Sequence, residues 1–108
     1  MSKVLILSGG SQGIGYATAK RFLAEGYRVI NLSRRAIDLV GAEHIGVDMQ
    51  KRDWLDNCIH ELEAVVKAAD SVVLLHNAAR HDGDTVRDLS AENFAEVLQV
   101  NLIAPQQL

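Results

Sequence analysis

Apolar residues in this chain follow two alternating rhythms. Short, mostly apolar runs at Val4–Leu7, Val29–Leu32, Ile45–Val47 and Val72–Leu75 predict strands covered on both faces. Between them the spacing changes to i, i+3, i+4. Gly15, Thr18, Ala19, Phe22, Leu23 and Gly26 share one face of a first helix, which Gly26 caps. Leu55, Cys58, Ile59, Leu62, Val65, Val66 and Ala69 form an apolar stripe on a second helix. Ser90 stands as the N-cap of a third, whose buried side would carry Phe94, Val97, Leu98 and Leu102. Strands alternating with helices in this order predict an α/β domain with a parallel sheet and crossover helices.

Composition narrows the partners. With 108 residues, 48% hydrophobic and 23% charged, the chain builds a single soluble domain with its own core. A net charge of -3 argues against a nucleic-acid backbone or an anionic membrane as the main partner. No apolar run approaches the ~20 residues that span a bilayer. Val4–Leu7 is too short for a signal-peptide core, so a cytoplasmic location is expected. The single Cys58 falls in the stripe of the second helix and reads as core. His81-Asp82-Gly83-Asp84 is a polar loop without metal-ligand geometry, and His44 and His60 are isolated, so no metal site is expected. No repeat, linker or low-complexity segment interrupts the chain.

The chemistry begins where the first strand turns into the first helix, at Ser8-Gly9-Gly10-Ser11-Gln12-Gly13-Ile14-Gly15. Residues without a Cβ let backbone come close to a bulky anion, and the N–H groups and dipole of a helix N-terminus favour a pyrophosphate there. The spacing Gly9-x-x-x-Gly13-x-Gly15 differs from the G-x-G-x-x-G dinucleotide fingerprint. It resembles the T-G-x-x-x-G-x-G turn of short-chain dehydrogenases/reductases, with Ser8 in place of the Thr. The resemblance runs from Lys3 to Leu108.

That resemblance implies a Rossmann-like, doubly wound parallel sheet with strand order 3-2-1-4 and helices on both faces. It assigns Gly9, Ser11, Gln12, Gly13, Ile14 and Gly15 to the pyrophosphate turn. The end of the second strand selects the adenosine ribose, an acid favouring NAD and a base NADP. Here it reads Ser33-Arg34-Arg35, with no Asp or Glu, which implies NADP(H) held through its 2′-phosphate by Arg34. Gln12 stands where NADP-using relatives often carry a basic residue. Asp48 takes the position that accepts from the adenine amino group, with Met49 lining the adenine slot. His76-Asn77-Ala78-Ala79 resembles the family's Asn-Asn-Ala-Gly, so Asn77, Ala78 and Ala79 approach the nicotinamide ribose, while His76 reads as a structural substitute.

Asn101 is the implied catalytic contributor. Pro105 has no N–H to offer its carbonyl, and in the family the Asn at this point lends that carbonyl to a water-linked proton relay. Tyr16 and Lys20 spell the Tyr-x-x-x-Lys of the family's catalytic pair. They are expected on the solvent side of the first helix, away from the nicotinamide; the family's own Ser, Tyr and Lys lie beyond this segment. Residues 1–108 thus read as the NADP-binding portion of a short-chain oxidoreductase. The parent would transfer hydride between NADP(H) and a carbonyl or alcohol substrate, and the 108-residue chain alone would be inactive. A homo-oligomer is expected through the third helix. The competing reading is a non-catalytic nucleotide-binding or interaction module. Extended relatives acting on nucleotide-sugars fit the glycine spacing and Asn101 less well.

Overall fold

The computed structural model describes residues 2–78 and 90–108, with backbone alone at positions 93 and 94. Four parallel strands, β1 (Lys3–Ser8), β2 (Arg28–Ser33), β3 (Glu43–Gly46) and β4 (Ser71–Leu75), lie in the order β3-β2-β1-β4. Val4 is in register with Arg28, Lys3 with Ser71 and Ile30 with Glu43. The ladders reach a residue past the apolar runs of β1 and β2, because backbone pairing is indifferent to side-chain polarity. β3 is displaced toward the N-terminus of the predicted run. Val47 has left the strand, although its N–H still donates to the Ser33 carbonyl at 3.0 Å.

Alternation along the strands divides the core between two faces of the sheet. Val4, Ile6, Ile30 and Leu32 face one cluster, completed by Val47, Met49, Trp54, Cys58, Leu62, Val100 and Ala104. Leu5, Leu7 and Val29 face the other, completed by Ala19 and Ile37. Helix α1 (Gly13–Ala24) covers the second cluster with Ala19, Tyr16, Phe22 and Leu23. It ends as its sequence dictates: Gly26, at φ 87°, donates to the Leu23 carbonyl, and Tyr27 donates to that of Phe22. The Phe22 and Tyr27 rings meet edge to face at 4.7 Å, the apolar contact that accompanies this kind of C-cap.

Two expectations for the other face need correction. Helix α2 (Ile59–Ala68) is shorter than its stripe, since residues 51–58 form successive turns that nevertheless bury Trp54 and Cys58. Leu62 is buried and Val65 half-buried, but Val66 is 46% exposed. One residue further round a helix is a rotation of ~100°, so docking on the Leu62–Val65–Ala69 edge turns Val66 outward. The third helix is not one α-helix. It runs as α3 (Ala91–Leu98), a π-helical turn (Gln99–Ile103) and α4 (Ala104–Gln107). Ser90 immediately precedes it, as expected. The Ala104 N–H reaches back five residues to the Gln99 carbonyl, and Pro105 offers Asn101 no N–H at the usual four. The widened turn shifts the buried face: Val100 and Ala104 are inside, and Leu102, expected inside, is 66% exposed. Phe94, expected on the buried side, has a side chain outside the described residues.

Candidate functional site

A cleft of about 610 Å³ opens beyond the carboxyl ends of β1, β2 and β3. It lies where β1 has β2 on one side and β4 on the other, the switch point at which open parallel sheets gather their ligands. Its floor is the glycine turn, and the glycines do different work. Gly9 adopts φ 71°, and a Cβ there would come within 2.9 Å of the Ala78 backbone. A Cβ on Gly15 would collide with the Gly9 carbonyl and the Asn77 amide, so Gly15 is what lets α1 seat against the sheet. Gly13, at φ 62°, has nothing within 4 Å of its Cβ position and lines the open cleft.

Polar side chains hold this turn in shape. The Ser8 hydroxyl accepts the N–H groups of Asn77 at 3.0 Å and Ala78 at 2.9 Å. Asn77 returns its side-chain amide to the Gly9 carbonyl at 3.0 Å. Gly10 donates its N–H to the buried side chain of Asn31 at 2.7 Å. The start of α1 has no side-chain cap from Gln12 and no acid in its first turn. Its leading N–H groups are therefore left for an anion in the cleft.

The opposite wall is basic. Ser33, Arg34 and Arg35 line it at the end of β2, both arginines are exposed, and neither pairs with a carboxylate among the described residues. The rim continues through Asp48, Met49 and Gln50. Asp48 accepts the Gln50 N–H at 3.1 Å, and Met49 reaches inward to the core while lining the cleft. A second depression of about 400 Å³ adjoins it, sharing Arg34, Val47 and Asp48 and adding Lys51 and Trp54.

Most of the sequence-predicted residues therefore meet: Gly9, Ser11, Gln12, Gly13, Ser33, Arg34, Arg35, Asp48, Met49, Asn77 and Ala78 surround one space. Gly15 supports it from beneath. Ile14 is 80% exposed and does not line it, and Asn101 lies exposed outside it, next to Val100, which does. Ala79 and His81-Asp82-Gly83-Asp84 lie outside the described residues. Tyr16 departs from expectation. It is half-buried, packing partly against the cluster under α1 with its hydroxyl donating to the Asp38 carbonyl at 3.1 Å where residues 34–42 fold back over that side of α1, and it does not line the cleft. Lys20 remains exposed. Sequence reasoning missed the apolar walls Leu32 and Val47, which fell in predicted strands, and Val100, which it did not place on the buried side of the third helix. It also missed Asn31, whose trace was a lone amide inside the apolar run Val29–Leu32.

Among the described residues, no helix is long and apolar enough to cross a membrane, and no group of three His, Cys, Asp or Glu could hold a metal ion.

Comparison with known proteins agrees with this geometry. The family model for short chain dehydrogenase matches residues 3–108. Protein FixR of Bradyrhizobium diazoefficiens is 32% identical over 95% of this chain and 42% of its own length. Carbonyl reductase family member 4 of Danio rerio is 32% identical over 95% of this chain and 46% of its own. Among solved structures, 4-hydroxyisoleucine dehydrogenase complexed with NADH superposes with a TM-score of 0.84 at 28% identity, covering 97% of this chain and 45% of that one. A short-chain oxidoreductase from Brucella ovis, with a partially ordered NAD, gives 0.85 at 31% identity, covering 100% and 55%. The chain thus spans about half the length of the proteins it matches or less.

Proposed function

Because the chain belongs to the short chain dehydrogenase family, a family of oxidoreductases with a nucleotide-binding fold, we propose that residues 1–108 are the NADP(H)-binding portion of an enzyme that moves hydride between that coenzyme and a carbonyl or alcohol carbon. The observation that carries this reading is the single cleft joining the uncapped N-terminus of α1, at Gly13, to the unpaired Arg34 and Arg35. A dinucleotide has anionic groups at both places only when its ribose carries a 2′-phosphate.

In this reading the coenzyme brings the transferable hydride, and the protein brings position and a proton route. The glycine turn holds the pyrophosphate, and Arg34 grips the 2′-phosphate in a bidentate contact. Asp48 accepts from the adenine amino group beside Met49. Asn77, Ala78 and Ala79 border the nicotinamide ribose, and the Asn101 carbonyl serves the proton relay. Copies of the chain associate through the helix that exposes Leu102 and Ile103, in the cytoplasm. The solved relatives that hold NADH or NAD favour a second reading, in which NAD(H) is the coenzyme and Arg34 is a solvated charge.

Titration decides between them. The NADP(H) reading expects NADPH to bind more tightly than NADH by about 1–3 kcal/mol, and Arg34→Ala to erase the difference. Equal affinities, or tighter NADH, would assign NAD(H), whereas an Arg34→Ala variant that keeps the NADPH preference would remove Arg34 as the 2′-phosphate contact. Among the described residues no tyrosine lines the cleft, so the 108-residue chain alone should bind coenzyme without oxidising it against ketones or aldehydes. Steady turnover that disappears in Tyr16→Phe would overturn that part.

A further inference from the structure

Asn31 is fully buried in β2, and both its amide oxygen and its amide nitrogen have partners. The oxygen accepts the Gly10 N–H at 2.7 Å. The nitrogen donates one proton to the Ser33 hydroxyl at 2.8 Å and faces Nδ1 of His44 in β3 at 3.1 Å. With the oxygen committed to an N–H, the second amide proton belongs to His44, whose Nδ1 accepts it as an unprotonated ring nitrogen. Ser33, having accepted, passes its own proton to the Arg35 carbonyl. An unbroken line of hydrogen bonds therefore runs from the glycine turn, through the interior of β2, to the arginine-bearing wall. Ser33 and Arg35 line the cleft, Gly10 sits between the lining residues Gly9 and Ser11, and Asn31 does not line it.

We propose that Asn31 is a positioning residue for coenzyme choice: it fixes the separation between the phosphate turn and the Arg34–Arg35 wall, so that discrimination between coenzymes with and without a 2′-phosphate depends on a side chain that touches neither. The proposal rests on the coenzyme reading above. Its physical basis is that a bound dinucleotide spans both anion sites at once. A coenzyme seated on the turn reaches Arg34 in bidentate geometry only at one spacing, and charge-assisted hydrogen bonds fade steeply with distance and angle. A coenzyme lacking the 2′-phosphate is held by the turn alone at this end and does not feel the spacing. The turn rests directly on the amide, since a Cβ on Gly10 would lie 2.7 Å from the Asn31 oxygen. Neither a carboxylate nor an aliphatic side chain could both accept from Gly10 and donate to Ser33.

The test measures dissociation constants for NADPH and NADH with the wild-type chain, Asn31→Leu and His44→Ala, with circular dichroism to confirm folding. Asn31→Leu should lower the NADPH-to-NADH affinity ratio by about ten-fold and His44→Ala by about three-fold, the scale of one to two hydrogen bonds. General loosening of the fold would weaken both coenzymes together and leave the ratio alone. A folded Asn31→Leu whose ratio stays within about two-fold of wild type overturns the proposal. If Asn31→Leu does not fold, an unchanged ratio in His44→Ala, which lies outside the cleft, overturns it instead. A wild-type chain that binds neither coenzyme, or both equally, overturns the NADP(H) reading and this assignment with it. Wild-type discrimination preserved in the variants overturns this assignment alone.

Discussion

The indole Nε1 of Trp54 donates to the side-chain oxygen of Gln107 at 2.9 Å, joining the turn before α2 to the last turn of the chain. The same oxygen accepts from the buried Gln99 at 3.1 Å, and the Gln107 amide nitrogen donates to the Arg52 carbonyl at 3.0 Å. Gln107→Leu would strand the N–H of a tryptophan that is 3% exposed, together with the Gln99 amide. A destabilisation of about 1–3 kcal/mol is expected. Trp54 is the only tryptophan in the chain, so urea unfolding followed by its emission reads the loss directly. An unchanged midpoint would show that water replaces Gln107 without cost.

Gly13 and Gly15, two residues apart, should fail in different ways. At Gly15 an added Cβ meets the Gly9 carbonyl and the Asn77 amide, so Gly15→Ala should cost about 1–3 kcal/mol of stability through overpacking. At Gly13 there is open space but left-handed backbone. Gly13→Val should therefore keep most helix content and lose coenzyme binding. Thermal melts and NADPH titration of the two variants separate the effects, and full binding by Gly13→Val would remove the phosphate-cradle role.

The Cys58 thiol is 2% exposed, and its pKa is raised, first by burial and then by the nearby Glu61 carboxylate. Both effects suppress the thiolate that attacks disulfide reagents. In the folded chain at mildly alkaline pH, reaction with a chromogenic disulfide should be at least about 100-fold slower than in denaturant. Comparable rates would mean that α2 opens readily.

Arg28 and Glu43 form a two-point ion pair across β2 and β3, at 2.6 and 2.8 Å. The hydrogen bond from Arg28 holds the Glu43 carboxyl below its ordinary value. A lowered folded-state pKa means that the pair stabilises above the unfolded-state value and is lost as pH falls through the folded one. Both side chains are about half exposed, which limits the gain to below ~1 kcal/mol. The stability difference between wild type and Glu43→Gln should accordingly shrink toward zero as solutions are taken from neutral pH into the acid range. A difference that grows on acidification would contradict the pairing.

The strands and the glycine turn were legible in the sequence because each depends on local pattern, whereas the sheet order and the place of Arg34 came from the family resemblance. Apolar runs mark strands, buried in β1 and β2 but exposed at Val72, Val73 and Leu74 of the edge strand β4, and glycine spacing marks a backbone that must approach something. What could not be read depends on how distant segments meet. Leu102 seemed inward on a regular helical period, and Pro105 showed only that one hydrogen bond was missing. The π turn that follows decides which face is buried. Tyr16 seemed solvent-facing until residues 34–42 folded onto α1. Leu32 and Val47 read as strand interior because an apolar wall and an apolar interior have the same composition, and Val100 was missed because the π turn moved the buried face. Asn31 was visible as an oddity, but its partners Gly10, Ser33 and His44 come from three elements that only the fold brings together.

Of the four strands described, β1 comes first in sequence but gains its second neighbour only from the fourth. β1 lies between β2 and β4, pairing Leu5 with Val29 on one edge and with Val73 on the other. Its second edge stays open until the chain has been made through Leu75. During synthesis a wholly apolar Val4–Leu7 segment must therefore wait, half-paired, for a partner on the far side of α2. Parallel pairing across such a distance is slow to form and leaves a sticky edge while it is pending. The geometry that gathers the cleft around the centre of the sheet thus gives the nascent chain a period in which chaperones, or neighbouring chains, compete for β1.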